Sequence, residues 1–382
     1  MKIVICGTEN IQEINKIPNT IIYLENIIPN TTLEITNDET VFSKADTIII
    51  KTSAIINGKY DLTNIKEICN KISNHMNDNT LIIFDTIVPP KTCKNMEKIL
   101  DEYELIQDIN IAYVTRPIEN QLVIAATNNT SLTKTIEIYK HITNNIKTTK
   151  DIPTAEIIPF LQETYIDTQK ALSNQLAIIS EALSVNLVEA IEYANLKKGI
   201  NLQNPIPITS NNTVISTDKL VQLAIEYGET AQLSDMTRTI NNYVPYHIAY
   251  IAEKELFLKH KLSFYECKIA VLGVTSDEKL ETQEYNSSLT LIDDLIQRKA
   301  EVWVHDDKIS EEIIQQHDAK KITLEQAYEC DCIIIMINDP QYQNLNPEKI
   351  EKILITAQPF LDSKKYENNE FYTVGQYKLG EK

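Results

Sequence analysis

The chain has 382 residues, 43% of them hydrophobic and 24% charged, and 36 basic against 54 acidic side chains leave a formal charge of -18. This is the composition of an ordinary folded protein with room for two or three domains, and its acidity removes the basic footprint of a nucleic-acid binder. No apolar run reaches the ~20 residues of a membrane span, and the opening MKIVICG has no basic leader, so the expectation is a cytoplasmic protein with no membrane partner.

In chain order, the apolar run 2–6 ends at Gly7, and runs 47–50, 81–84 and 122–125 repeat that buried-strand signal between helical stretches. Alternating strands and helices predict a doubly wound parallel sheet. From about Pro153 the spacing changes: Leu161, Tyr165, Leu172, Leu176, Ile179 and Leu183 recur at three- and four-residue steps, predicting a helix of ~30 residues. A second helix is expected over about 187–195 and a Pro- and Asn-rich loop over 201–217. Helical periodicity then runs from Asp218 to about Leu258. CKIAVLG at 267–273 opens a second alternation, with strands near 301–305 and 332–336. The predicted domains are 1–150 (α/β), 151–262 (helical) and 263–382 (α/β).

Cys6, Cys69, Cys93, Cys267, Cys330 and Cys332 lack CxxC or paired Cys/His spacing, so no disulfide framework or metal site is expected and they read as small buried hydrophobes. His305-Asp306-Asp307 reads as a solvated cluster at a strand end, and Trp303 as strand packing. Glycine is scarce: 7 residues, about 2% where roughly 7% is usual. The scarcity falls on a pattern that calls for glycine-rich ligand loops.

Four segments carry a resemblance. Thr86-Ile-Val-Pro-Pro-Lys-Thr92 is similar to STVPPGT, and the stretch from Ala155-Glu156 to Ala177 to AExxKLxxNTYxxxxxAxxNELA; Arg238-Thr-Ile-Asn241 is similar to REIN, and 268–273 reads KIAVLG. With the order of the parts, these resemble the UDP-glucose/GDP-mannose dehydrogenase family, NAD-dependent enzymes that oxidise a sugar C6 alcohol to a carboxylate. The resemblance covers nearly the whole chain. It implies two Rossmann-like domains joined by a helical domain whose long central helix forms a dimer core.

Against that family the chain departs where chemistry is expected. GxGxxG becomes Gly7, Glu9 and Gln12, leaving Gly7 and the acid Glu25 as the residues to meet NAD. The position of the cysteine nucleophile holds Val214, and no cysteine lies between Cys93 and Cys267; Thr213 beside it has no obvious base. The catalytic lysine and asparagine positions hold Pro159 and Glu163, and the threonine that positions water is Ile87. The Pro-Glu pair becomes Pro117-Ile118, with Glu119 one residue late, and the cationic positions of the nucleotide-sugar loop hold Asp277 and Glu284. The expectation is a diverged, noncatalytic paralogue, a homodimer or a heterodimer with an active relative, with a nucleotide or nucleotide sugar as possible ligand. The alternatives are an NAD(P)-dependent dehydrogenase with a repurposed site and a structural interaction protein.

Overall fold

The computed structural model describes residues 2–7, 16–24, 34–56, 58–101, 109–118, 120–207, 210–275 and 286–376. Two compact units result, Met1–Gln162 and Glu163–Lys382, with the division inside one helix, Ile158–Ala182.

The first unit is built on an eight-stranded sheet in the order β10-β9-β8-β7-β4-β1-β2-β3. Its strands are β1 Ile3–Cys6, β2 Thr20–Tyr23, β3 Glu34–Thr36, β4 Thr47–Ile50, β7 Leu81–Phe84, β8 Asn110–Ile118, β9 Gln121–Ala126 and β10 Ile146–Thr148; β5 Ile55–Ile56 and β6 Lys59–Tyr60 form a separate antiparallel pair. Sequences such as TIII and LIIF are buried on both faces, which is why they pair in parallel under covering helices. Alternation sends Val4, Cys6, Ile48, Ile50, Ile82 and Phe84 into one core and Ile3, Ile5, Ile49, Leu81 and Ile83 into the other. The exception to the expected parallel sheet is the antiparallel β8–β9 pair, which a tight turn at Asn120 makes possible. The order β3-β2-β1-β4-β7-β8 reverses direction at β1, so the carboxyl ends of β1 and β4 mark the crevice where such sheets take ligands.

In the second unit a six-stranded, wholly parallel sheet runs β13-β12-β11-β14-β15-β16. Its strands are β11 Lys268–Leu272, β12 Glu301–His305, β13 Lys320–Lys321, β14 Cys332–Ile335, β15 Ile353–Thr356 and β16 Glu370–Thr373. Val244, Ile248, Ala249 and Ala252 of helix Gln232–Glu255 share a core with Ile269 and Val271 of β11. The long helix has 25 residues, about 38 Å. The expected loop over 201–217 is shorter than predicted: helix Asn211–Glu226 starts inside it because Ser210 accepts the Thr213 amide as an N-cap. The helical run from Asp218 is two helices, parted at Gly228.

All six described glycines have positive φ, and seven other residues, among them Asn19, Lys91 and Asn120, take the same left-handed backbone. Scarce glycine is therefore placed where the backbone demands it, and the remaining left-handed positions carry a Cβ at a cost of roughly 1 kcal/mol each.

Candidate functional site

At the carboxyl edge of the first sheet, Gly7 has φ +103°, and a Cβ built on it would lie 2.6 Å from the carbonyl oxygen of Lys51. The glycine is thus required by a backbone contact between the ends of β1 and β4. Alternation along β4, β7 and β8 then carries Lys51, Asp85 and Arg116 onto the same face as Ile49, Ile83 and Val114. Lys51 Nζ donates to Asp85 Oδ2 at 2.5 Å, Tyr139 donates its hydroxyl to the same oxygen at 2.8 Å, and Arg116 grips the carboxylate with both terminal nitrogens. Lys51 and Asp85 are 2% and 4% exposed, so this is a buried ionic node. Burial alone would push the Asp85 carboxyl up, but Lys51 and Arg116 outweigh it and hold it below the usual carboxylate range.

Beside this node the TIVPPKT segment is fixed from below. Glu156, fully buried, accepts the amides of Lys91 at 2.5 Å and Cys93 at 2.8 Å, closing the N-terminus of helix Thr92–Leu100 with a carboxylate of the chain itself. Lys91 holds φ +72° where the resemblance has glycine. Ile87, where the resemblance implies a water-positioning threonine, is 43% exposed and offers no hydrogen-bonding side chain, and Ile118 is exposed as well. Pro159 sits buried in the first turn of the long helix, where a missing N–H costs no intrahelical bond. Glu9, Gln12, Glu25, Glu119, Asp277 and Glu284 lie outside the described residues.

The second unit holds a polar centre among three helices. Val214, expected at the nucleophile position, is 1% exposed and packed as an apolar residue of helix Asn211–Glu226. Thr213 is not a loop residue and does have a carboxylate partner: its hydroxyl donates to Glu163 Oε2 and contacts Ser210 Oγ at 2.7 Å. One turn along the long helix from Glu163, Asp167 receives Arg238 Nη1 at 3.1 and 3.2 Å and Asn241 Nδ2 at 2.7 Å. Asn241 in turn accepts from Asn174 at 3.0 Å. Lys170, on the same helix, has its ammonium pushed down by burial, against the pull of Asp167 and Glu163. The Arg238–Asn241 and Asn174 segments of the resemblance therefore meet in space, on an aspartate that sequence reasoning did not single out.

At the carboxyl edge of the second sheet, Asp306 is 3% exposed and accepts the amides of Val274 at 2.6 Å, Thr275 at 2.9 Å and Lys308 at 2.7 Å. His305 is also buried, with its Nδ1 3.1 Å from the Tyr342 hydroxyl, and burial pushes its imidazole down. The expectation of a solvated cluster therefore fails for these two and holds for Asp307, which stands 72% exposed. Backbone amides that would otherwise lie open to an anion are satisfied by Asp306.

Lys51, Asp85, Arg116 and Tyr139 were missed by sequence reasoning. The signal was present: a charge stands directly after each of the buried runs TIII and LIIF, at the edge where ligands bind. Arg116, Arg238 and Arg298 are the only arginines of the chain, and all three are engaged: on Asp85, on Asp167, and on Asp294 with Glu253. All six cysteines are free and buried, as expected; burial pushes the Cys69 thiol up to about 12 and the Cys267 thiol to about 11. Among the described residues no helix is long and apolar enough to cross a membrane.

A sequence model described as the UDP-binding domain of the UDP-glucose/GDP-mannose dehydrogenase family matches residues 270–368. Over 356 residues, 90% of this chain and 81% of the relative, the chain is 24% identical to a UDP-N-acetyl-D-mannosamine dehydrogenase of Methanococcus vannielii. It is 27% identical over 332 residues, 84% and 74% of the two chains, to the enzyme of that name from Methanocaldococcus jannaschii. The solved structure of UDP-D-ManNAc dehydrogenase from Pyrococcus horikoshii superposes with a TM-score of 0.80 at 19% identity, covering 98% of this chain and 99% of that one, a likeness of fold.

Proposed function

We propose that this chain is a noncatalytic member of the UDP-glucose/GDP-mannose dehydrogenase family, kept as a binding or regulatory protein, a reading supported by the matched UDP-binding domain and by its likeness to UDP-N-acetyl-D-mannosamine dehydrogenases. The observation that carries this reading is Val214: the family's thiohemiacetal chemistry needs a cysteine there, and the chain supplies a buried isopropyl group in a helix. The surroundings support it. Pro159 offers no charge for an oxyanion, Ile87 and Ile118 offer no polar group, and every arginine is already bound to a carboxylate of the chain. Of the three glycines that let backbone approach a dinucleotide's diphosphate in GxGxxG, the sequence keeps only Gly7.

The test is reduction of NAD or NADP by the purified protein with UDP-glucose and UDP-N-acetylmannosamine, followed by nicotinamide absorbance. No turnover is expected, and robust turnover with either sugar ends the proposal.

A second reading, an NAD(P)-dependent dehydrogenase with a repurposed site, is favoured by one contact, the Thr213 hydroxyl on the Glu163 carboxylate. It requires that the cofactor bind. Thermal unfolding decides it, since a ligand at a hundred times its dissociation constant stabilises by about 2.7 kcal/mol; the noncatalytic reading expects no shift with NAD or NADP.

We also infer a dimer in the cytoplasm, with a second copy or an active relative. Tyr165, Leu172 and Ile179 along the long helix, and Leu183 just past its end, are 62%, 41%, 47% and 68% exposed, an apolar stripe. Met236, Tyr243, Tyr250 and Phe257, seven residues apart, repeat the pattern, each more than half exposed. A monomer mass in sedimentation would count against it.

A further inference from the structure

The segment 202–207, which precedes the Ser210–Thr213–Glu163 contacts, is held at its backbone by side chains from several elements. Asn195 accepts the Leu202 amide at 2.8 Å and donates to the Leu202 carbonyl at 2.9 Å. Asn174 repeats the pattern on Ile206, at 2.9 and 3.0 Å, and Ser287 donates to the Pro207 carbonyl at 2.8 Å. Each asparagine imitates a strand partner, because one amide group offers a donor and an acceptor side by side.

Beneath Pro205 lies the turn that follows β16. Gly375 has φ +80°, and a Cβ built on it would stand 3.2 Å from Pro205 Cγ, 3.3 Å from Ala177 Cβ and 3.4 Å from Leu187 Cδ2. Its amide donates to Glu181 Oε1 at 2.8 Å, and its carbonyl accepts the amide of Leu187, an orphan donor at the start of helix Leu187–Ala194. The other oxygen of Glu181 is 2.6 Å from His247 Nε2. One carboxylate thus ties the last turn of the sheet to the long helix and to helix Gln232–Glu255, while the glycine supports the proline loop.

We propose that the turn 374–376 is an intramolecular strap, buckled by Glu181, that keeps the segment 202–207 in one closed arrangement. Two features make it a strap and more than a packing contact. A Cβ at Gly375 would have to take both left-handed backbone and three contacts of 3.2 to 3.4 Å at once, and the turn satisfies a donor on one element, the Leu187 amide, and an acceptor on another, Glu181, both distant from it in sequence. The inference does not rest on the noncatalytic reading, since it concerns the order of a loop.

Hydrogen exchange of the full chain tests it. In Gly375→Ala, exchange at Leu187, Leu202 and Ile206 is expected to accelerate about tenfold, the scale of forcing a Cβ into left-handed backbone, with the amides of β11 unchanged. Acceleration at Leu187 with Leu202 and Ile206 unaffected would overturn the proposal, because the turn would then not reach the loop. If the alanine variant unfolds as a whole, Glu181→Gln decides: it keeps the shape and removes the charge. Faster exchange confined to the three amides supports the strap, and unchanged or uniformly faster exchange overturns it.

Discussion

The two sheet edges solve one problem in opposite ways. Each brings a glycine with positive φ to the end of its first strand, Gly7 after β1 and Gly273 after β11, and each buries an aspartate nearby. Asp85 is satisfied by side chains far away in the chain, Lys51, Arg116 and Tyr139. Asp306 is satisfied by backbone amides of its own neighbourhood, Val274, Thr275 and Lys308. The first edge is therefore closed by charge and the second by backbone hydrogen bonds. A buried ionic closure is the more brittle, since removing one member strands the others in a medium that cannot solvate them.

The largest expected effect breaks the first closure. Asp85→Asn leaves the Lys51 ammonium buried without its counter-charge and should cost about 3 to 5 kcal/mol in urea unfolding, whereas Asp306→Asn keeps one acceptor oxygen and should cost about 1 to 3 kcal/mol. Equal losses would erase the distinction. The same comparison has a pH signature. The Asp85 carboxyl is held below its ordinary value, so its contribution is full above the unfolded pKa of about 3.9 and is lost as pH falls through the folded value. Asp85→Asn should lack that part of the acid loss, measured as stability against pH below about 5.

Smaller is the contrast between the glycines. Alanine at Gly7 meets backbone atoms of Lys51 and Thr52 at 2.6 to 2.9 Å, and at Gly273 mainly the side chain of Ile337 at 2.9 Å. Gly7→Ala should cost more than about 2 kcal/mol and Gly273→Ala about 1 to 2 kcal/mol; the reverse order in denaturation would show that the first edge has more slack than the second. Smallest, and of opposite sign, is Lys91→Gly. Removing a Cβ from left-handed backbone should raise stability by up to about 1 kcal/mol, and a thermal midpoint that falls instead would mean that the Lys91 side chain supports the first edge.

Much of the scaffold was legible because it follows from local pattern. Short runs such as TIII, LIIF and KIAVL read as strands buried on both faces, and the three- and four-residue steps from Leu161 to Leu183 read as a helix, which forms over Ile158–Ala182. The start of helix Asn211–Glu226 was missed because polar residues outweighed the Ser210 cap in a reading by composition. That Val214 offers no nucleophile follows from its hydrocarbon side chain alone. The partner of Thr213 was not legible, since Glu163 comes to it from a different helix, fifty residues earlier.

By itself, then, the sequence determined the alternation of elements, the buried strands and the buried, unpaired cysteines, because each of these depends on residue identity and short-range spacing. Only the tertiary structure decided which charges meet. Lys51, Asp85, Arg116 and Tyr139 are spread over 89 positions of sequence and converge on one carboxylate because parallel pairing sets the ends of β4, β7 and β8 side by side. Burial then makes that meeting obligatory, for a charge removed from water must find its opposite inside the fold.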